Sequence, residues 1–301
     1  MKIYVLVPVY NKVEYTLKCL RLLKGQTWNN FEVIIIDDGS TDGTSEAVHK
    51  EFPDVNLLHG DGNLWWSGAM NLALNNILKY ANEDDYILTL NNDVTFNDDY
   101  LQTLVEAAQQ RPGWMIGSVS IDHENPNNII DAGIYFDWRT RKIFKNELRK
   151  ERLFNDHINR LSGRGALIPA KVFKDVGVYN AKYLPQYAAD VEFTMRAGRA
   201  GFKMCVCCAS LLMNDRSVTG FKYTPFMKIS ARHAWNLLFD KKSIMRIKTR
   251  LFFVLLCCPL KYLPYNLIAE LISIIQVITS VSPFWYIKAP LRPALMRLHK
   301  K

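Results

Sequence analysis

The sequence predicts an α/β protein with a mostly parallel central sheet flanked by helices, followed by a helical C-terminal segment that is both basic and apolar. Three observations predict this. Short apolar runs alternate with helix-length amphipathic segments over the first 120 residues, polar motifs follow those runs directly, and the charge balance changes abruptly near residue 220. With 301 residues, 49% hydrophobic and 12% aromatic, the chain can bury a large core in one domain or two.

Residues 3–8, 33–37, 55–59, 86–90 and 115–120 read as buried strands. Between them, 13–24, 44–52, 68–81 and 98–111 carry apolar residues at helical spacing, so the units are βαβ and the sheet is parallel. Near-continuous apolar runs such as Val33-Ile34-Ile35-Ile36 fit strands covered on both faces, and ligands of such sheets sit at the strands' carboxyl ends. From 128 to 170 the pattern is irregular, with Gly133, an Asp137-Trp138 turn and a charged stretch over 139–152, which predicts a hairpin and a loop. A helix follows Ala189, a cysteine-containing apolar strand spans 203–212, and the rest predicts basic helices broken at Pro259, Pro264, Pro283, Pro290 and Pro293.

Cys19, Cys205, Cys207, Cys208, Cys257 and Cys258 lie as adjacent or alternating residues in apolar runs, which predicts buried free thiols rather than a disulfide framework or a zinc site. No basic leader with a cleavable apolar stretch opens the sequence, so an intracellular location is expected. Residues 1–220 hold 24 basic and 27 acidic side chains, net −3, whereas 221–301 hold 14 and 2, net +12. The tail and not the body needs an anionic partner, and nothing in the body reads as a nucleic-acid-binding motif. Of the tail's apolar stretches, 251–260 is too short to span a bilayer and 267–285 contains Glu270, Gln276 and Pro283. Docking on an anionic membrane surface is therefore expected, with a helical subdomain that packs on the catalytic core or forms an oligomer as the alternative.

Six segments carry the chemistry. The strand end Val7-Pro8-Val9-Tyr10-Asn11 is matched by Ile36-Asp37-Asp38-Gly39-Ser40-Thr41-Asp42-Gly43-Thr44 after the second strand. Adjacent acids against a buried strand need partners, and a base and a ribose can supply them; turn formation is the other role open to them. Gly62-Asn63-Leu64-Trp65-Trp66-Ser67-Gly68-Ala69-Met70-Asn71 sets a glycine-bearing turn before a helix, suited to an anion at exposed backbone amides, with the tryptophans equally compatible with core packing. Leu90-Asn91-Asn92-Asp93-Val94 follows the fourth strand, Ser162-Gly163-Arg164-Gly165-Ala166 is small-residue-rich, and Ala189-Asp190-Val191-Glu192 opens a helix where Asp190 reads as an N-cap or as a base.

Together these strings resemble family-2 glycosyltransferases over about residues 1–220. The resemblance implies a GT-A fold with a nucleotide-sugar half (1–120) and an acceptor-side half (121–220), followed by a membrane-association or oligomerisation segment over 221–301. It implies that Pro8, Tyr10, Asp37 and Asp38 line the base and ribose pocket, that Asn63, Trp65, Ser67, Asn71, Asn91, Asn92 and Asp93 face the nucleotide sugar, and that Asp93 holds Mn²⁺ or Mg²⁺. Gly163, Arg164, Gly165, Ala189 and Glu192 would border the acceptor and donor sugar, with Asp190 as catalytic base. The implied reaction inverts the sugar of a UDP- or dTDP-sugar onto a hydroxyl of a carbohydrate or lipid-linked acceptor. Its setting would be surface-polysaccharide synthesis at the cytoplasmic face of the membrane, with a rhamnosyl- or galactosyl-type donor.

The chain departs from the family pattern at Trp65, where glycine is usual, at Asn91 and Ala189, where acids are usual, and after the 203–212 strand, where Asn214 or Asp215 would replace a metal-binding histidine. These departures keep open a nucleotide-sugar-binding or scaffold protein without catalysis. A nucleotidyltransferase would need glycines in the Val9-Tyr10-Asn11-Lys12 loop, which has none.

Overall fold

The computed structural model describes residues 1–148, 151–214 and 228–281. The chain divides into two compact units, Met1–Val218 and Thr219–Lys301. The first half of unit one alternates as the periodicity requires: β1 (Ile3–Val9), α1 (Val13–Lys24), β2 (Phe31–Asp37), α2 (Thr44–Glu51), β3 (Asn56–His59), α3 (Trp65–Ile77), β4 (Tyr86–Thr89), β5 (Val94–Thr95), α4 (Tyr100–Gln110) and β6 (Met115–Asp122). There follow β7 (Ile129–Asp131), the hairpin β8 (Ile134–Asp137) and β9 (Lys142–Lys145), β10 (Phe154–Asn155), β11 (Ala166–Pro169), α5 (Ala170–Val176), α6 (Ala189–Arg199) and β12 (Met204–Asn214).

The main sheet runs β10-β12-β6-β11-β4-β1-β2-β3. β1 is parallel to β2 and β4, β2 to β3, and β12 to β6, while β11 lies antiparallel between β4 and β6. The apolar runs of β1, β4 and β6 are almost wholly buried because helices cover both faces. α1 buries Thr16, Leu17, Leu20 and Leu23, a stripe at helical spacing. The sequence does not announce β11, because its four residues are too few to show a period before α5 begins at Ala170.

Register brings the motifs to one edge. Val9 pairs with Asp37, Leu6 with Thr89, and Thr89 with Ala166. Tyr10, Asp37-Asp38 and the 90–93 turn thus leave the carboxyl ends of parallel strands, and Gly163–Gly165 enters the antiparallel one at the same edge. The pairing of Asn214 with Val94 puts Asp93 beside the exit of β12.

Unit two contains α7 (Ala231–Phe239), α8 (Ile247–Cys257), a 3-10 turn at Leu260–Tyr262 and α9 (Leu263–Ile278), with a small core of Ile229, Ala234, Leu237, Leu238 and Val277. Among the described residues no helix is long and apolar enough to cross a membrane. Pro283, Pro290, Pro293 and the remainder of 282–301 lie outside the described residues. All six cysteines are free and buried, and burial, aided by the nearby charge of Asp93, pushes the Cys19 thiol up to about 12.

Candidate active site

Asp37 and Asp38 are buried at the end of β2, and each carboxylate holds a turn. Asp37 accepts the Ser40 amide at 2.8 Å and the Ser45 hydroxyl. Asp38 reaches forward and accepts three backbone amides, Gly62 at 2.9 Å and Leu64 at 3.2 Å on Oδ1 and Trp65 at 2.8 Å on Oδ2. Gly60 is needed for this approach, since a Cβ there would lie 2.5 Å from Asp38 Oδ1. The loop after β1 is tied to the same place: Asn11 donates its amide to Ser40 Oγ at 2.7 Å and accepts that of Thr41 at 2.9 Å. Pro8 is half-buried, and Tyr10 stands out at this edge with 54% of its surface exposed.

The 62–71 segment differs from its expectation as an anion-binding helix start. Its amides are taken: besides the three on Asp38, Trp66 donates to Gln186 Oε1 at 3.2 Å and Ser67 to the Pro185 carbonyl at 2.9 Å. The Ser67 hydroxyl donates to Leu184 O at 2.6 Å, and Asn71 brackets Tyr179 through both backbone groups. Asn63 is exposed in the turn, its side chain turned to Asp61 O. α3 starts at Trp65, three residues before its expected start, because Asp38 fixes Trp65 in a left-handed conformation with φ 59°. Ser67 and Asn71 therefore serve as ties to the 179–186 segment.

Trp66, which the sequence reading did not single out as a site residue, is the indole that joins the motifs. Its Nε1 donates to Asn91 Oδ1 at 3.2 Å and its ring meets Tyr179 edge-on, centroids 5.1 Å apart. Gly163 lies flat against that ring, where a Cβ would approach Trp66 Cζ2 to 2.7 Å and Asp190 Cβ to 3.0 Å. The Gly163 amide donates to Asp190 Oδ2 at 2.7 Å, while Oδ1 takes no hydrogen bond among the described residues. Burial, and after it the charge of Asp190, raises the Tyr179 phenol above the usual tyrosine range. One short chain of contacts thus links Asp190, Gly163, Trp66 and Asn91.

Asn92 donates to Thr16 Oγ1 at 3.0 Å, whereas the half-buried Asp93 carboxylate has no hydrogen bond or ion pair among the described residues. Asn214, one expected substitute for the absent histidine, is buried and committed: its amide nitrogen donates to the Ser120 hydroxyl and its oxygen accepts Arg164 Nη1 at 3.3 Å. Asp215, the other, lies outside the described residues. No group of three or more His, Cys, Asp and Glu side chains among the described residues could hold a metal unaided. A single carboxylate fits a hard divalent cation whose other ligands are diphosphate oxygens and water, and it does not fit an ion that needs a protein cage.

Three residues expected beside the substrate are held in structural positions. Glu192 is buried and paired with Arg196 at 2.8 Å, and that guanidinium also donates to the Val176 and Val178 carbonyls, so Glu192 serves the packing of α6 against the end of α5. Ala189 is also buried, where a carboxylate would need a partner of its own. Gly165 closes the turn into β11 with φ +75°, and a Cβ there would meet Leu212 at 2.4 Å.

The profile of the family described as Glycosyl transferase family 2 matches residues 4–177, more than half of the chain. The chain belongs to this glycosyltransferase family. A relative from Mycobacterium tuberculosis, N-acetylglucosaminyl-diphospho-decaprenol L-rhamnosyltransferase, is 28% identical over 228 residues, covering 69% of this chain and 73% of that protein. Among solved structures, the mannosyltransferase PcManGT of Pyrobaculum calidifontis, in complex with GDP-Man and Mn²⁺, superposes with a TM-score of 0.57 at 15% identity, covering 93% of this chain and 73% of its own. TarS of S. aureus in complex with UDP gives 0.54 at 18% identity, covering 90% and 71%. The fold of this family-2 glycosyltransferase is GT-A, and the chain is similar to surface-polysaccharide transferases.

For a glycosyltransferase with this contact chain, Gly163→Ala is expected to lower the transfer rate roughly tenfold to a hundredfold, because the new methyl must displace Trp66 or Asp190 by tenths of an ångström. Steady-state kinetics beside a thermal melt tests this; an unchanged rate would show that the packing of Gly163 is immaterial.

Proposed function

We propose that the chain is an inverting, metal-dependent transferase that moves one hexosyl unit from a UDP- or dTDP-sugar to a hydroxyl of a carbohydrate or lipid-linked acceptor. Its setting is surface-polysaccharide assembly, on the cytoplasmic face of a membrane that the basic second unit touches. One observation carries the reading: Asp190 is held through one oxygen only, and that oxygen is tied through Gly163 and Trp66 to the Asn91-Asn92-Asp93 turn. Relatives support the rest, since one is named for a diphospho-decaprenol acceptor and structural neighbours bind GDP-Man with Mn²⁺ and UDP.

In this reading Pro8, Tyr10 and the turns held by Asp37 and Asp38 form the nucleoside pocket. Asp37 accepts two hydrogen bonds and keeps acceptor capacity, while Asp38 is largely spent on the 62–65 turn. Asp93 would hold Mn²⁺ or Mg²⁺ together with the donor's diphosphate. Bound there, the cation would offset the negative charge that grows on the departing nucleotide diphosphate. The Gly163 amide keeps Asp190 Oδ2 fixed and leaves Oδ1 to take the acceptor hydroxyl's proton as its oxygen attacks the anomeric carbon opposite the leaving group. A single displacement inverts that carbon.

The test is transfer by the purified chain with a panel of nucleotide-diphosphate sugars and Mn²⁺, the product's anomeric configuration being read by NMR; absence of both transfer and donor hydrolysis across the panel would sink the reading. Asp93→Asn is expected to abolish Mn²⁺-dependent binding of the nucleotide diphosphate in calorimetry while moving stability by no more than about 0.5 kcal/mol, since its carboxylate holds no structural bond. Retained Mn²⁺-dependent affinity would remove Asp93 from the metal.

A further inference from the structure

α9 is built inside out. Its polar side chains Asn266 and Glu270 are buried: Asn266 donates to Tyr262 O at 2.9 Å, and Glu270 meets Arg250 of α8 at 2.5 Å. On the outer face Ile268, Leu271, Ile272, Ile275 and Ile278 stand about half exposed, in a stripe at helical spacing. Of the eighteen large apolar side chains exposed among the described residues, eleven belong to the short stretch 228–281, so apolar exposure is concentrated in this unit. A contiguous apolar surface of this kind marks an interaction site. The buried ion pair fixes the rotation of α9 about its axis: turning the stripe inward would expose neither charge without stranding the other.

We propose that α9 lies in the plane of an anionic lipid bilayer, its isoleucine and leucine stripe immersed at the boundary between headgroups and acyl chains. The proposal deepens the reading of a membrane-facing transferase by naming the element, the face and the lipid charge. Three features favour this occupant. Residues 221–301 carry 14 basic and 2 acidic side chains, and one of the two acids, Glu270, is already neutralised by Arg250. Two copies of a segment with net charge +12 repel each other as wholes, whereas anionic headgroups attract it. Sixteen residues rise about 24 Å, short of the roughly 30 Å hydrocarbon core, and the inner face of α9 is held against α7 and α8, so the helix lies along the interface with those helices on its water side instead of crossing it.

The experiment is flotation of the full chain with phosphatidylglycerol–phosphatidylcholine vesicles and with phosphatidylcholine alone. The wild type is expected to float with the mixed vesicles and weakly with the neutral ones. Ile272→Ser/Ile275→Ser, both exposed and so compatible with folding, is expected to lower partitioning roughly tenfold or more, with an unchanged circular dichroism spectrum. Lys248→Gln/Lys261→Gln should lower it about fivefold per lysine on mixed vesicles only. Failure of the wild type to float, or equal flotation of the isoleucine variant, overturns the proposal. So does a lipid-free dimer in sedimentation that the isoleucine variant abolishes. Donor turnover on the same samples is expected to be untouched by these substitutions, so a failed anchor and a failed transferase reading are told apart.

Discussion

Asp190→Asn is expected to lower transfer turnover roughly 10²–10⁴-fold, the range lost with a positioned general base, while donor affinity and the unfolding midpoint stay at wild-type values. The substitution is isosteric, and the asparagine carbonyl can still accept the Gly163 amide that Asp190 Oδ2 accepts at 2.7 Å. The fold at the start of α6 is therefore kept, and what disappears is the basicity of the oxygen left open. Asp190→Ala removes the acceptor as well, so it should lose turnover to a similar extent and some stability besides, since the Gly163 amide is then without its partner. Single-turnover transfer at saturating donor, with nucleotide binding measured by calorimetry in Mn²⁺, separates the two quantities. Turnover of the asparagine variant within about tenfold of wild type would place the base elsewhere.

The sequence reveals the sheet more readily than the site. Runs such as Val33-Ile34-Ile35-Ile36 are long, apolar and β-branched, so β1, β2, β4 and β6 stand within a residue or two of their expected bounds. β11 escapes because four apolar residues that run straight into a helix carry no period. At the site, residue types mark the correct loops, but partners lie far along the chain and spacing cannot supply them. Asp38 meets amides at 62–65, Asn71 meets Tyr179, and Trp66 meets Asn91 and Gly163. Both adjacent tryptophans are half-buried, and sequence cannot say which indole reaches the 90–93 turn; it is Trp66 that donates to Asn91, while Trp65 takes a left-handed backbone whose amide Asp38 holds from 27 residues away. Glu192 misleads for a related reason: two residues beyond Asp190 it points to another side of α6, where Arg196 takes it. In α9 an all-round apolar composition conceals which stripe is buried, and only the Arg250–Glu270 pair reveals that the polar stripe faces inward.

Asp38→Ala should be the most destabilising single change at the candidate site, by about 3–5 kcal/mol, since it strips one buried acceptor from three backbone donors. The sum is below three full desolvation penalties because the 61–63 turn is exposed and water can reach part of it. Asp38→Asn should lose about half as much: its carbonyl can serve Gly62 and Leu64, but its amide nitrogen then sets a donor against the Trp65 N–H. Denaturant unfolding of unit one, with hydrogen exchange followed at residues 62–67, measures both effects. A loss below about 0.5 kcal/mol for the alanine variant would mean that the turn holds itself and that Asp38 is free for the nucleoside. The comparison with Asp93→Asn then decides how labour is divided among the acids of the sheet edge. If Asp38 governs the melt and Asp93 governs Mn²⁺-dependent binding, the carboxylate committed to backbone amides builds the pocket, and the one without structural partners does its chemistry.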